Sequence, residues 1–414
     1  MRNIFLLLCI LLSWISYAQQ PLKIAIISDT HYLSPKIAKD GTALQRFETA
    51  TGRSVKDLHQ VLSQVISELE TYSPDILLIT GDITNHGERE SHLDFAEKLK
   101  PLTKNGTRIF VVPGNHDVNV PNAKAYVGDK SIPTSSISAQ ELEQLYAPFG
   151  YSEATKRDTA SLSYLAEVND SIWLLGIDSN KYSENITSSI SAGRILPATM
   201  NWVLKILEEA KSKNILVMGL MHHGLVEHMP YQSMFMPDYL IDNWKSNAEI
   251  LADNGLKVIF TGHFHSNDIT LLTTPKGNRI YDIETGSLAG YPFPYRLITF
   301  EDNKLNIESY FIDSIPGKPN LQEEYRLKSE KIGRRIAQSK INLMQLPIPS
   351  DLKDTLIDLM VKMQILHMKG DEKVDDEMQQ MINQLSELLG DTNADIDSFK
   401  LDFPPADNFV EIEL

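Results

Sequence analysis

Five short segments of this chain concentrate side chains that bind divalent cations. They are Asp29-Thr30-His31, Gly81-Asp82, Gly114-Asn115-His116-Asp117, His222-His223 and Gly262-His263-Phe264-His265. Carboxylate and amide oxygens mixed with imidazole nitrogens suit a pair of divalent transition metals, with Mn, Fe, Zn and Ni all compatible. A lone Asp-x-His or Gly-Asp recurs by chance and would carry little weight. The five in order, each in the same local context, point to a binuclear centre.

That context is the end of a strand. Apolar runs over 22–28, 76–80, 108–113, 215–221 and 257–261 each stop where a segment begins. Between the first two, Val55, Leu58, Val61, Leu62, Val65, Ile66 and Leu69 recur at helical spacing. Leu93, Phe95, Ala96 and Leu99 do so less regularly before the third run, and 200–213 reads as a helix leading into the fourth. This β-α-β-α-β opening predicts a parallel sheet with both faces covered. After Phe260 the pattern changes to strands over 269–273, 279–285, 295–300 and 304–311, with Pro275-Lys276-Gly277-Asn278 as a hairpin turn. The expected fold class is α/β: a four-layer α/β/β/α sandwich with a smaller C-terminal helical domain.

Gly317-Lys318-Pro319-Asn320 reads as the boundary between the two, giving a main domain over 19–316 and a helical one over 317–414. In the latter, Leu352, Leu356, Leu359, Met360, Met363 and Leu366 form one stripe. Met378, Met381, Ile382, Leu385, Leu388 and Leu389 form another, and Gly370-Asp371 separates them. An antiparallel helical hairpin is expected, its methionines serving as packing. This tail is also the candidate surface for a homo-oligomer.

Residues 1–18 have the features of a secretory signal: Arg2, an apolar stretch over 4–15, and Ser16-Tyr17-Ala18 before the cut. The apolar core is too short to span a bilayer, so export to the periplasm or the medium is expected, with no membrane span in the mature chain. Cleavage removes Cys9, the only cysteine, and with it any disulfide or thiolate ligand. With 39 Lys and Arg against 55 Asp and Glu, net −16, the surface repels long nucleic acids. A small phosphate ester gripped by a metal pair remains compatible with that charge.

The five segments resemble the calcineurin-like metallophosphoesterase superfamily over roughly 22–313. The phrases Ser28-Asp29-Thr30-His31-Tyr32 and Gly81-Asp82-Ile83-Thr84-Asn85-His86-Gly87-Glu88, with the helical tail, are similar to a narrower branch of exported bacterial phosphodiesterases associated with cyclic nucleotides. The resemblance implies one metal held by Asp29, His31, Asp82 and His265, and a second by Asp82, Asn115, His222 and His263. A carboxylate can bridge two cations about 3.5–4 Å apart, which is the part Asp82 must take. The pair outweighs the charge of Asp29, Asp82 and a bridging hydroxide, so the centre attracts a phosphodiester anion. In the family pattern His116 does not ligate metal but protonates the departing alkoxide. Asp117 is grouped with it as catalytic, either orienting His116 or tying down the loop. The family pattern favours His222 over His223 as ligand; sheet alternation does not decide between them.

The implied activity is hydrolysis of small phosphate diesters, cyclic nucleotides first. A phosphomonoesterase or nucleotidase with the same centre is the nearest rival, although no Arg or Lys adjoins the motifs to meet a dianion. A non-catalytic surface binding protein is the rival from another class. Asn85 and His86 are candidates to face substrate. The aromatic stretch 290–296 could stack a base, with packing the preferred reading, and His59, His92, His228 and His367 match no ligand motif. The triplets at Asn105, Asn169 and Asn185 fit a glycosylation pattern that is common by chance.

Overall fold

The computed structural model describes residues 20–344, 349–389 and 401–414. The signal segment expected over 1–18, with Cys9, lies outside the described residues. In chain order the strands are β1 (Leu22–Ile27), β2 (Ile76–Ile79), β3 (Arg108–Val111), β4 (Lys124–Val127), β5 (Lys130–Pro133), β6 (Ala154–Arg157), β7 (Tyr164–Asn169) and β8 (Ile172–Ile177). There follow β9 (Leu216–Met221), β10 (Val258–Thr261), β11 (Ile269–Thr273), β12 (Arg279–Glu284), β13 (Pro294–Glu301), β14 (Lys304–Phe311) and β15 (Phe409–Glu413). The helices are α1 (Thr42–Thr51), α2 (Val55–Tyr72), α3 (Arg89–Lys104), α4 (Ala139–Leu145), α5 (Pro197–Ser212), α6 (Gln232–Phe235), α7 (Trp244–Asp253), α8 (Leu321–Met344), α9 (Ser350–Lys369) and α10 (Asp376–Leu389).

Two sheets form the centre of a four-layer sandwich. One has the order β15-β14-β13-β1-β2-β3, the other β11-β12-β10-β9-β8-β7-β6. Strands β1, β2 and β3 are parallel to one another, as are β8, β9, β10 and β12. Period-two alternation sorts the second sheet's side chains: Met218, Leu220, Val258 and Phe260 face the core between the sheets. Val217, Met221 and Ile259 face the outer layer, where they meet Val203, Ile206 and Leu207 of α5 and Leu251 of α7. On the first sheet, α2 starts at Ser54, whose hydroxyl caps the Asp57 amide, and buries Val55, Leu58, Val61, Leu62, Val65, Ile66 and Leu69. This is the stripe expected from helical spacing.

The C-terminal region is built from α8, α9 and α10, with clusters such as Ala337, Ile341, Ile357 and Val361 between α8 and α9. The strand β15 then returns to the main sheet and pairs antiparallel with β14. Sequence pattern alone did not anticipate that strand. Among the described residues, no helix is long and apolar enough to cross a membrane.

Candidate metal centre

The chain leaves its strands in conformations that few L-residues adopt. Asp29 (φ 48°), His31 (37°), Asp82 (45°), His263 (75°) and His265 (63°) all lie in the left-handed region. Each such residue costs about 1–3 kcal/mol, so the surroundings must enforce it. Backbone bonds do so: Asp29 N–H donates to Gly81 O (3.1 Å), and His31 N–H to Asp82 O (2.9 Å). Two glycines permit the crowding. A methyl group at Gly114 would strike the backbone and Oδ1 of Asp82, and one at Gly262 would strike Ser28 and Asp29.

These bends bring seven side chains into one pocket. The Oδ2 of Asp29 accepts from the Ser28 hydroxyl and from the His263 amide (3.0 Å). Its Oδ1 turns inward, buried and without a hydrogen-bond partner. It stands 3.2 Å from His265 Nε2 and 3.9 Å from His31 Nε2. The two imidazole nitrogens are themselves 3.2 Å apart. Asp82 spans the pocket, with Oδ2 3.7 Å from His31 Nε2 and Oδ1 3.4 Å from His222 Nε2. The Nδ1 of His222 is 2.8 Å from the Thr80 carbonyl, which only accepts. That bond puts the proton on Nδ1 and leaves the lone pair on Nε2, 3.2 Å from Asn115 Oδ1. In the same way His263 Nε2 donates to Asp238 O (3.1 Å), and its Nδ1 is buried with no partner.

Orphaned lone pairs on Asp29 and His263, and two neutral nitrogens facing carboxylates, fit cations. Burial pushes His222 down and His263 down to about 3, keeping both in the neutral, ligating form. Burial, with Asp29 and Asp117 nearby, raises Asp82 well above the carboxylate range, a repulsion that divalent ions would relieve. Burial also acts on Asp29, but His265 and the hydrogen bond from Ser28 hold that carboxyl low. The overlapping groups able to hold a metal are Asp29, His31 and His265; His31, Asp82 and His116; and Asp82, His222 and His263.

His116 sits at the rim. Its amide donates to Asp82 Oδ1 (2.8 Å) and its Nδ1–H to the Asn85 carbonyl (2.9 Å), leaving Nε2 free. The His86 ring stacks on it, Nδ1 to Nδ1 at 2.9 Å. Asp117, expected either to orient His116 or to tie down the loop, faces the loop instead of the ring. Its carboxylate accepts from the amides of Gly114 (2.8 Å), Ile83 (3.1 Å) and Thr84 (2.9 Å). His223 has both nitrogens engaged, with Ser179 Oγ and Ser191 O at 2.8 Å each, so neither is available to a metal.

Other sequence candidates resolve differently. In 290–296, Phe293, Tyr295 and Arg296 are buried, and Phe293 packs on Tyr325. That stretch is packing. His92 bonds Tyr146 and the Asp117 carbonyl, His59 the Leu33 carbonyl, and His228 Asp268, all internal contacts.

Sequence reasoning missed Arg53. It precedes the α2 cap, far from every motif, yet it walls a small gap with His31 and Asn85 and feels the charge of Asp82 and Asp29. Among the described residues its guanidinium makes no hydrogen bond or ion pair. The tail contributes too: a cavity of about 230 Å³ beside His265 is lined by Tyr239, Phe264, Met360, Met363 and Met368. The two tail methionines read as packing thus also wall a space next to the centre.

A family model described as calcineurin-like phosphoesterase matches residues 22–267. A probable glycerophosphodiester phosphodiesterase of Arcobacter nitrofigilis is 26% identical over 222 residues, covering 52% of this chain and 66% of that protein, just under two thirds of its length. A probable cyclic nucleotide phosphodiesterase of Coxiella burnetii is 26% identical over 253 residues, covering 60% of this chain and 78% of the relative. Among solved structures, a dimetal phosphatase from Danio rerio is similar with a TM-score of 0.47 at 11% identity, covering 70% of this chain and 97% of that one.

Proposed function

The chain belongs to the calcineurin-like phosphoesterase family and is a phosphoester hydrolase, and from that premise we propose an exported phosphodiesterase acting on small diesters, cyclic nucleotides foremost. The observation that carries this reading is Asp82, whose two oxygens face two separate sets of nitrogen and oxygen donors. Asp29, His31 and His265 would hold one cation with it, and Asn115, His222 and His263 the other. When bound, the pair supplies Lewis acidity at phosphorus and a deprotonated water as nucleophile.

The protein's own groups do the rest. The Asn85 carbonyl fixes the His116 proton on Nδ1, so Nε2 is the atom that carries a second proton to the leaving oxygen. Burial, then His86, holds His116 neutral in the free chain, and an anionic substrate would offset both. The unpaired guanidinium of Arg53 is placed to bind a phosphoryl oxygen. The apolar cavity beside His265 would accept the organic group of a diester. The diesterase names of the relatives support the same choice. Export rests on the pattern of residues 1–18.

Arg53 also favours a second reading. A phosphomonoester dianion needs one more positive charge than a diester, and Arg53 supplies it without adjoining any motif. Hydrolysis by residues 19–414 loaded with Mn²⁺ separates the two. The panel is a bis-aryl phosphate, an aryl monophosphate, and 3′,5′- and 2′,3′-cyclic nucleotides. The diesterase reading predicts higher kcat/KM on the diesters, whereas preference for the monophosphate would replace it with the phosphatase reading. Inactivity of the loaded protein on every substrate would favour the binding-protein alternative.

A further inference from the structure

A second cluster of ligand-type groups lies behind the catalytic pocket, where the tail meets the sandwich. Asp268 enters from the turn between β10 and β11, three residues past His265. Glu372 comes from the link between α9 and α10, and Asp402 and Asp407 from the segment leading into β15. One oxygen from each of these four carboxylates lies within 4.8 Å of the others. Oxygens bound at about 2.4 Å to one ion lie no more than about 4.8 Å apart, so a single cation fits their spacing.

Asp268 and Glu372 each have one oxygen committed, and Asp407 has both. Asp268 Oδ1 accepts from His228 Nδ1 (2.7 Å) and Thr270 Oγ1 (3.0 Å). Glu372 Oε1 accepts from His367 Nδ1 (2.5 Å), and Asp407 accepts from the amides of Ile269 (2.8 Å) and Asp371 (2.5 Å). The remaining oxygens Asp268 Oδ2, Glu372 Oε2 and Asp402 Oδ1 are buried with no hydrogen-bond partner. Asp268 is fully buried and Glu372 is only 8% exposed, so bulk solvent does not reach their free oxygens. Two nearby imidazoles already face the cluster, His228 at Asp268 Oδ1 and His367 at Glu372, with His367 Nδ1 3.7 Å from Asp268 Oδ2. Arg296 bonds the carbonyls of Glu284 (2.8 Å) and Asp407 (2.5 Å) and the Ser309 hydroxyl (2.9 Å), and His228 lies among Asp268, Asp282 and Glu284.

We propose that Asp268, Glu372, Asp402 and Asp407 hold a third divalent cation of the Ca²⁺ class, which staples the tail to the turn following His265. An all-oxygen, irregular donor set suits Ca²⁺; Mg²⁺ demands a stricter octahedron, and Zn²⁺ prefers nitrogen or sulfur. His367 then acts as a hydrogen-bond donor that orients Glu372. A proton-sharing cluster is the competing account, since burial, with Glu372 next, pushes Asp402 up to about 7, and burial, with Asp268 next, pushes Asp407 up to about 9.

The test is Ca²⁺ titration of the full Mn²⁺-loaded chain, read as bound Ca²⁺ per chain and as thermal midpoint. The expected result is one Ca²⁺ beyond the Mn²⁺ pair and a midpoint that rises with Ca²⁺. Asp402→Asn, at the most exposed of the four positions, and the double variant Glu372→Gln/Asp402→Asn should lose both responses. Asp82→Ala should keep the Ca²⁺. No Ca²⁺ in the wild-type chain, binding that survives in the double variant, or loss of the ion in Asp82→Ala would overturn the proposal. The wild-type titration decides even where a variant fails to fold.

Discussion

The two charged pockets of this chain are built on opposite plans. The candidate metal centre, proposed as the catalytic pocket, draws imidazole, amide and carboxylate groups from residues 29–265, each placed after a parallel strand. The rear pocket draws only carboxylate oxygens, one from the sandwich and three from the tail. Donors on rigid strand ends would hold a fixed spacing between two ions, which two-metal hydrolysis demands. Donors from two regions close only when the tail is docked, so the rear pocket reports on assembly. In sequence only Ser266 and Asn267 separate His265 of the first from Asp268 of the second.

The largest expected effect falls on the catalytic pocket alone. His116→Ala should lower kcat on diesters with poor leaving groups by about 10²–10⁴-fold. Its metal content should be unchanged, and an activated aryl diester should lose far less. Equal loss on both substrates would remove His116 as the acid. Arg53→Ala should cost about 10- to 100-fold in kcat/KM, the scale of one hydrogen bond to a charged group. A larger loss on monoesters than on diesters would sharpen the case that Arg53 meets a second charge, and no loss on either would take it out of the site.

The smallest effect belongs to the rear pocket and is read as stability. Burial raises Glu284 to about 8, Asp402 to about 7 and Asp407 to about 9. Carboxyls whose folded pKa exceeds the unfolded value, about 4, add stability at low pH and lose it as pH rises through the folded value. With Ca²⁺ chelated, the thermal midpoint should therefore fall between about pH 5 and 9. Added Ca²⁺ should flatten that slope, and a slope unaffected by Ca²⁺ would separate the pocket's titration from any cation.

The contrast also explains what could be read from the sequence. Strands β1, β2, β3, β9 and β10 announced themselves as apolar runs ending at ligand-type residues, and α2 by its stripe. The residues that converge on Asp82 were readable as a group because each is local to a strand end. Asp268, Glu372, Asp402 and Asp407 share no spacing, and only tertiary packing brings them together. Arg53 escaped for the same reason: reach across a loop leaves no mark in adjacency. The strands β7 and β8 were passed over, and the triplet Asn169-Asp170-Ser171, read as a glycosylation pattern, forms the turn between them. There Asn169 Oδ1 accepts from the Ser171 amide (2.9 Å). The strand β15 was hidden by its place after a helical tail, and its partner β14 gave no sign of an open edge.

The most direct test of the central claim, that Asp82 joins two cations in one centre, is electron paramagnetic resonance of the chain loaded with two Mn²⁺. Ions bridged by a carboxylate at about 3.5–4 Å are exchange-coupled. The account predicts a coupled-pair spectrum in the wild type that disappears in Asp82→Ala. A spectrum of isolated ions in the fully loaded wild type, or a coupled pair that survives in Asp82→Ala, would contradict it.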